Sequence, residues 1–104
     1  MKTYTFFKIK EGKLDVWKDW CITVNTLLRI HALKTMEYEH SSREYWVLFS
    51  LGEDHYVLGA SEFFDEPRKA DMTEMINIEH RKIIDECLTF VCKGESLCDL
   101  VVIK

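Results

Sequence analysis

The strand-like segments of this chain are apolar on both faces, and no other feature constrains its fold as much. Four segments show this pattern, at residues 5–7, 45–49, 56–58 and 100–103. A strand with one face in water alternates apolar and polar residues, whereas a strand buried on both faces is a continuous apolar run. The chain must therefore cover two sides of a sheet. Its helical segments are sufficient for one side, so we expect a second copy to cover the other.

Length and charge narrow the class of protein. A chain of 104 residues predicts a single domain over residues 1–104. The net charge of −4 argues against nucleic acid or an anionic membrane as a partner. The first ten residues lack the unbroken apolar core of a signal peptide, and no apolar stretch approaches the roughly 18 residues that span a membrane. We therefore expect a cytoplasmic protein.

The cysteines and glycines predict no cofactor and no metal. Cys21, Cys87, Cys92 and Cys98 form no Cys-x-x-Cys pair and no zinc-site spacing. We expect four reduced thiols, although a disulfide between Cys92 and Cys98 is geometrically conceivable. The four glycines are scattered, so no phosphate-binding loop is present and nucleotide-dependent chemistry is disfavoured.

Periodicity predicts six regular elements. They are a strand at 2–10, a long helix from 13 to about 39, strands at 44–51 and 55–63 joined by a turn at 52–54, a second helix from about 77 to 91, and a last strand at 96–104. Residues 65–71 are predicted to be a loop, with a helical turn near 73–75. Asn77 is the expected N-cap of the second helix, and Gly94 its stop signal.

The element order is therefore β-α-β-β-α-β, the split βαβ arrangement of ferredoxin-like folds. The prediction is an α+β domain with one four-stranded antiparallel sheet and two helices on one face. The other face carries apolar side chains from all four strands, which would be a liability if it stayed exposed. A homodimer through the sheet face, closing a dimeric α/β barrel, is the economical solution.

Short motifs along most of the chain resemble the dimeric α/β-barrel group. They are Phe7-Lys8-Ile9-Lys10, Gly12-Lys13, Trp17, the acidic pair Glu37 and Glu39, Ile76-Asn77-Ile78-Glu79-His80 and Glu86-Cys87-Leu88. The strongest resemblance is to a small bacterial family of unknown function, with a distant likeness to antibiotic-biosynthesis monooxygenase-like and rhamnose mutarotase-like proteins. The resemblance implies a ferredoxin-like fold and a dimer. It implies no single activity, because the group spans oxygenases, isomerases and non-enzymes.

His80 is the leading candidate for a catalytic residue. It shares the apolar stripe of the second helix with Ile83, Ile84 and Cys87, so it should point at the sheet or into a cavity beneath the helix. A half-buried imidazole suits a general base or a ligand contact near neutral pH. The alternative is a core histidine that hydrogen-bonds to backbone near the start of the helix.

Trp20, Trp46 and Glu39 are the candidates for ligand binding. Aromatic side chains line small-molecule sites, but the same residues also simply fill cores. Glu39 belongs to an acidic cluster with Glu37 and His40, and together with His31 and His80 this cluster resembles a mixed metal site. No pair has the His-x-x-x-His spacing of a helical metal site, so solvated charges are the favoured interpretation.

Three functions stay open at this stage. The first is binding of a small apolar or aromatic molecule in a cavity between sheet and helices. The second is a cofactor-independent monooxygenase-like or isomerase-like enzyme that uses His80 as its base. The third is a dimeric protein-interaction module whose polar loop at residues 65–71 contacts a partner.

Overall fold

The computed structural model describes residues 1–104 and contains four strands and three helices. In chain order they are β1 (Lys2–Ile9), α1 (Leu14–Asn25), α2 (Arg29–Tyr38), β2 (Ser41–Leu51), β3 (Asp54–Phe63), α3 (Met75–Cys87) and β4 (Leu88–Gly94). None of the helices is long and apolar enough to cross a membrane. The hairpin formed by β2 and β3 and the irregular loop at residues 65–71 are where the sequence predicted them.

The four strands form one sheet in the order β2-β3-β1-β4, and every neighbouring pair is antiparallel. Phe7 lies opposite Val57 on one side and Phe90 on the other, which places β1 in the interior of the sheet. A register shift between Phe6 and Phe7 leaves Val91 as the extra residue of a bulge in β4. The predicted α+β class with a four-stranded antiparallel sheet is confirmed.

The prediction of one long first helix is wrong, because the segment is interrupted between α1 and α2. Thr26 leaves helical geometry at φ −121° and ψ −80°. The hydroxyls of Thr23 and Thr26 donate to the carbonyls four residues earlier, at 2.9 and 2.7 Å, and such bonds bend helices. Leu27 is turned outward and is 83% exposed. The helical segment still ends before residue 40, where His40 adopts a positive φ of 65°.

The helix predicted from about residue 77 to 91 is α3 in the structure, and it starts and ends earlier than predicted. It begins at Met75 with Glu74 at the N-cap, and Asn77 instead donates its side-chain amide to the Asp71 carbonyl at 3.0 Å. It ends at Cys87, whose carbonyl accepts from the backbone N–H of Lys10 at 2.7 Å. That bond satisfies one of the free carbonyls of the helix end, so no glycine is required there.

The last strand is Leu88–Gly94, and the predicted strand at 96–104 is wrong. Residues 88–91, which were predicted to end the helix, belong to a strand that pairs with β1. This strand occupies the edge of β1, so residues 96–104 cannot pair there. Residues 95–104 have no regular structure, although Asp99 accepts a 2.6 Å bond from Lys2. Their apolar side chains are 73–92% exposed, at Leu97, Leu100, Val101, Val102 and Ile103.

Cross-strand pairing sorts the sheet residues into two faces. The helix face is contacted by α1 and α3 through Trp17 and His80, which both lie against Trp46. The opposite side, here called the open face, consists of Tyr4, Phe6, Tyr45, Val47, Phe49, Tyr56, Leu58 and Ala60. On the open face Phe6 stacks on Tyr56 with ring centroids 5.4 Å apart, so these rings shield one another.

The core is small and lies at one end of the helix face. Its fully buried members are Ile9, Trp17, Val57, Cys87 and Leu88. Helical spacing puts Trp17 of α1 and Cys87 of α3 over this end of the sheet. All four cysteines are unpaired in this structure.

Candidate functional site

His80 lies in the second turn of α3 and faces α1. The indole Nε1–H of Trp20 donates a 2.8 Å hydrogen bond to His80 Nδ1, and the two rings are stacked with centroids 6.0 Å apart. A tryptophan N–H can only donate, so Nδ1 is the acceptor and carries no proton. The neutral imidazole therefore carries its proton on Nε2.

The Trp46 ring, on β2, lies against the same imidazole. Its centroid is 6.0 Å from that of His80 and 5.0 Å from that of Trp17, in edge-to-face arrangements. Gly59, directly opposite on β3, makes room for it, because a Cβ at that position would lie 2.7 Å from Trp46 Cζ3. The absence of a side chain at Gly59 thus lets the indole lie across the neighbouring strand.

Burial controls the charge of His80. Loss of solvent, assisted by the positive charge of Arg81, lowers the pKa of the imidazole from 6.5 to about 4. The ring is therefore neutral at pH 7. Every fully buried side-chain nitrogen or oxygen has a hydrogen-bond partner, while His80 Nε2 has none. Nε2–H therefore keeps solvent-accessible surface and is free to donate.

Two carboxyl groups, those of Glu44 and Glu39, have raised pKa values in this part of the molecule. Glu44 Oε1 accepts from Trp46 Nε1 at 3.4 Å, and desolvation raises the pKa of Glu44. Burial, followed by the charge of Glu44, raises the pKa of Glu39 from 4.5 to about 7. Glu39 ends α2, and its backbone carbonyl accepts from the Arg68 N–H at 3.1 Å. These carboxyls supply an acidic border to the aromatic cluster.

The structure thus brings three of the four predicted site residues into contact. Trp20, Trp46 and His80 meet between the helices and the sheet, whereas Glu39 is related to them only by the charge of Glu44, which helps to raise the Glu39 pKa. We call the set Trp17, Trp20, Trp46, His80 and Glu44 the Trp–His cluster.

Sequence reasoning missed Glu44 and Gly59 as members of the site. Glu44 shares a face with Trp46, because residues two apart in a strand point the same way, and that spacing was the available signal. The importance of Gly59 depends on its pairing opposite Trp46 and had no signal of its own.

The remaining histidine candidates lie elsewhere. His40 Nδ1 is 2.7 Å from the Glu66 carbonyl, and its ring packs on Phe64. His31 lines a cavity of about 110 Å³ between α2 and the start of α3, with Tyr38 and Asn77. No group of three or more His, Cys, Asp or Glu side chains is arranged to hold a metal ion.

A second cavity, of about 160 Å³, is lined by Met1 and residues 63–67. Neither cavity includes His80, Trp20 or Trp46. The Trp–His cluster lies outside both of these cavities.

Comparison with known proteins finds no matching family model, no similar curated protein and no similar solved structure.

Proposed function

We propose that the protein binds a small apolar or aromatic molecule at the Trp–His cluster, between the sheet and the helices. The observation that carries this proposal is the His80 Nε2–H, an accessible donor without a protein partner, set among indole rings. Small-molecule sites combine mostly apolar walls with a few placed polar groups. All three tryptophans of the chain lie in this one place, where Trp20 and Trp46 pack against the core that contains Trp17.

We further propose that the fold is ferredoxin-like. If α1 and α2 are one helical crossover interrupted at residues 26–28, the element order is β-α-β-β-α-β. The central position of β1 between β3 and β4 supports this interpretation.

An enzyme of the monooxygenase-like or isomerase-like kind is the first alternative. A general base needs a free lone pair, and the His80 lone pair on Nδ1 is occupied by Trp20. The low pKa of His80 also makes it a weak base. Glu39, with a pKa of about 7, is the better proton acceptor if the site carries out catalysis. Binding without catalysis is therefore the favoured function.

A dimeric interaction module is the second alternative, and the open face supports it. Val47 and Phe49, on the edge strand β2, are 38% and 46% exposed on this face, while charged residues such as Lys8 and Arg43 lie towards its two ends. An apolar centre with a polar rim is the pattern of a protein interface. We propose a homodimer through this face, which is compatible with ligand binding on the other side of the sheet.

Naphthalene binding, followed by NMR, tests the ligand proposal. The three tryptophan indole N–H signals report the cluster directly, since the chain has no other tryptophan. Saturable shifts of the Trp20 and Trp46 signals are expected, with native mass spectrometry of the purified protein identifying any retained ligand.

Two variants serve as the comparison. Trp46→Leu removes a ring of the cluster and should abolish the shifts, whereas Phe49→Leu on the open face should leave them unchanged. Shifts confined to methyl groups of the open face, such as those of Val47 and Leu58, would contradict the proposed site.

A further inference from the structure

The proton position on His80 determines which ligands the cluster can recognise. The Trp20 N–H donates to Nδ1 at 2.8 Å, so Nε2 carries the proton of the neutral imidazole and has no protein acceptor. An accessible N–H among apolar rings favours a partner that accepts a hydrogen bond, because an unpaired donor in a desolvated site is costly. A purely hydrocarbon ligand would leave this donor unpaired.

The charged residues around the cluster further restrict the kind of hydrogen-bond acceptor that a ligand can carry. Glu44 accepts from Trp46 Nε1, so a carboxyl group borders the cluster, and the charge of Glu44 also acts on Glu39. Carboxylate or phosphate groups on a ligand would be repelled by the ionised forms of these carboxyls. A cation would be disfavoured at His80, because Nε2–H presents a positive hydrogen to it. A neutral oxygen acceptor fits both constraints.

The shape of the cluster indicates a flat ligand body. Trp20 is stacked on the imidazole with an interplanar angle of 28°, while Trp46 stands edge-on to it at 71°. Gly59 holds open the space that the Trp46 ring occupies. A flat ring laid against the exposed parts of Trp20 and Trp46 gains stacking contacts while its oxygen reaches Nε2, and the Trp20–His80 bond stays intact.

We infer that the site selects neutral, flat molecules bearing a carbonyl-type oxygen, which accepts from His80 Nε2–H, and that Trp20 is a positioning residue that fixes the required tautomer. This inference rests on the proposed function, since it assumes that the cluster binds a ligand. Trp20 acts through His80 rather than on the ligand oxygen itself.

The tautomer is tested without any ligand. Long-range ¹H–¹⁵N spectra of the histidine-labelled protein should show Nε2 protonated and Nδ1 unprotonated for His80 at pH 7. In Trp20→Phe, which keeps a ring but removes the donor, a mixture of tautomers is expected. Nδ1 protonated in the wild type, or an unchanged pattern in Trp20→Phe, would overturn the role assigned to Trp20.

The ligand class is tested with 1-indanone and indane, which share a flat bicyclic body and differ in the carbonyl. The wild type should bind 1-indanone roughly tenfold more tightly, the contribution of one hydrogen bond. His80→Phe should lose this preference, and Trp20→Phe should reduce it. If the ring at position 20 only stacks on the ligand, Trp20→Phe should still bind naphthalene.

The outcomes separate the two proposals. Equal affinity of the wild type for 1-indanone and indane would overturn the ligand class and leave the proposed function standing. No binding of 1-indanone, indane or naphthalene would overturn both the proposed function and the ligand class.

Discussion

The two faces of the sheet carry different mixtures of apolar and polar side chains. The open face, which no helix covers, is apolar and aromatic in its middle and charged at its ends, at Lys2, Lys8, Arg43, Asp54 and Glu62. The helix face is apolar at the core end, but towards the start of β1 it carries polar side chains: Thr3, Thr5, Glu44 and Ser61. The exposed apolar groups of the open face, such as Val47 and Phe49, require an explanation beyond folding.

Different causes explain the two faces. The polar end of the helix face stays open to solvent, since Glu44 is exposed and Thr3, Thr5 and Ser61 are only partly buried, and a ligand can reach it. Exposed apolar surface forgoes about 25 cal/mol for each Å² left in water, which a second copy would recover. The proposed ligand site and the proposed dimer interface thus lie on opposite faces of the sheet, and each can be tested separately.

The largest expected effect is on assembly. Val47→Asp places a charge among the exposed apolar side chains of the open face, and a two-fold dimer through this face would bury that charge against the partner copy. We expect the dissociation constant of the dimer to rise by about 100-fold or more, measured by sedimentation velocity over a range of protein concentrations.

Leu27→Asp is the control for that experiment, because Leu27 is 83% exposed in the helical layer. It should leave the assembly unchanged. A wild-type protein that stays monomeric at all concentrations, or a dimer indifferent to Val47→Asp, would remove the reason offered for the apolar open face.

The next effect is on the packing of the helix face. Gly59→Ala would put a Cβ 2.7 and 2.8 Å from two Trp46 ring carbons, so the indole must move. A destabilisation of about 1–3 kcal/mol is expected from this overpacking, measured by urea unfolding.

A double-mutant cycle separates the ring clash from other effects of Gly59→Ala. In the Trp46→Leu background the clashing ring atoms are absent, and the alanine should then cost little. An equal cost in both backgrounds would mean that Gly59 matters to the strand itself and not to the placement of Trp46.

The smallest effect concerns the acidic border of the cluster. The pKa of Glu39 is raised from 4.5 to about 7, so the folded protein binds this proton more tightly than the unfolded chain does. Stability from this group is therefore lost as the pH rises from 4.5 through 7. With allowance for solvent screening, Glu39→Gln should stabilise the protein by about 1–2 kcal/mol at pH 8 and by little at pH 4.

The exposed neighbour Glu37 provides the matched variant Glu37→Gln for these unfolding measurements at the two pH values. Equal gains from Glu37→Gln and Glu39→Gln at pH 8 would show that burial of Glu39 is not responsible.

His80 titrates in the opposite sense: its lowered pKa stabilises the fold above pH 6.5, and this contribution is lost as the pH falls towards 4.

Sequence patterns predicted the hairpin most accurately, because its signals are local. An apolar run, a Gly52-Glu53 turn and a second apolar run predict β2 and β3 to within a few residues. The end of α3 was not predictable in this way. In the sequence, Leu88 and Val91 continue the helical apolar stripe. In the structure the helix ends at Cys87, because the Cys87 carbonyl accepts from the Lys10 N–H and the residues that follow pair with the edge of β1.

For the candidate site, the sequence predicted which residues take part but not how they contact one another. His80, Trp20 and Trp46 followed from their positions on apolar faces, and the structure brings them into contact. The direction of the Trp20–His80 bond had no sequence signal, because the two residues are 60 positions apart. The contributions of Glu44 and Gly59 likewise depend on cross-strand neighbours.

The sequence by itself determined where most strands lie and that both faces of the sheet would be apolar in part, since these follow from the order of side chains along the chain. Only the tertiary structure decided that β4 begins at Leu88, that the tail at residues 95–104 joins no strand, and which nitrogen of His80 carries the proton. The physical reason is that pairing edges and hydrogen-bond partners are supplied by residues distant in sequence, and competition among them is resolved only when the elements pack.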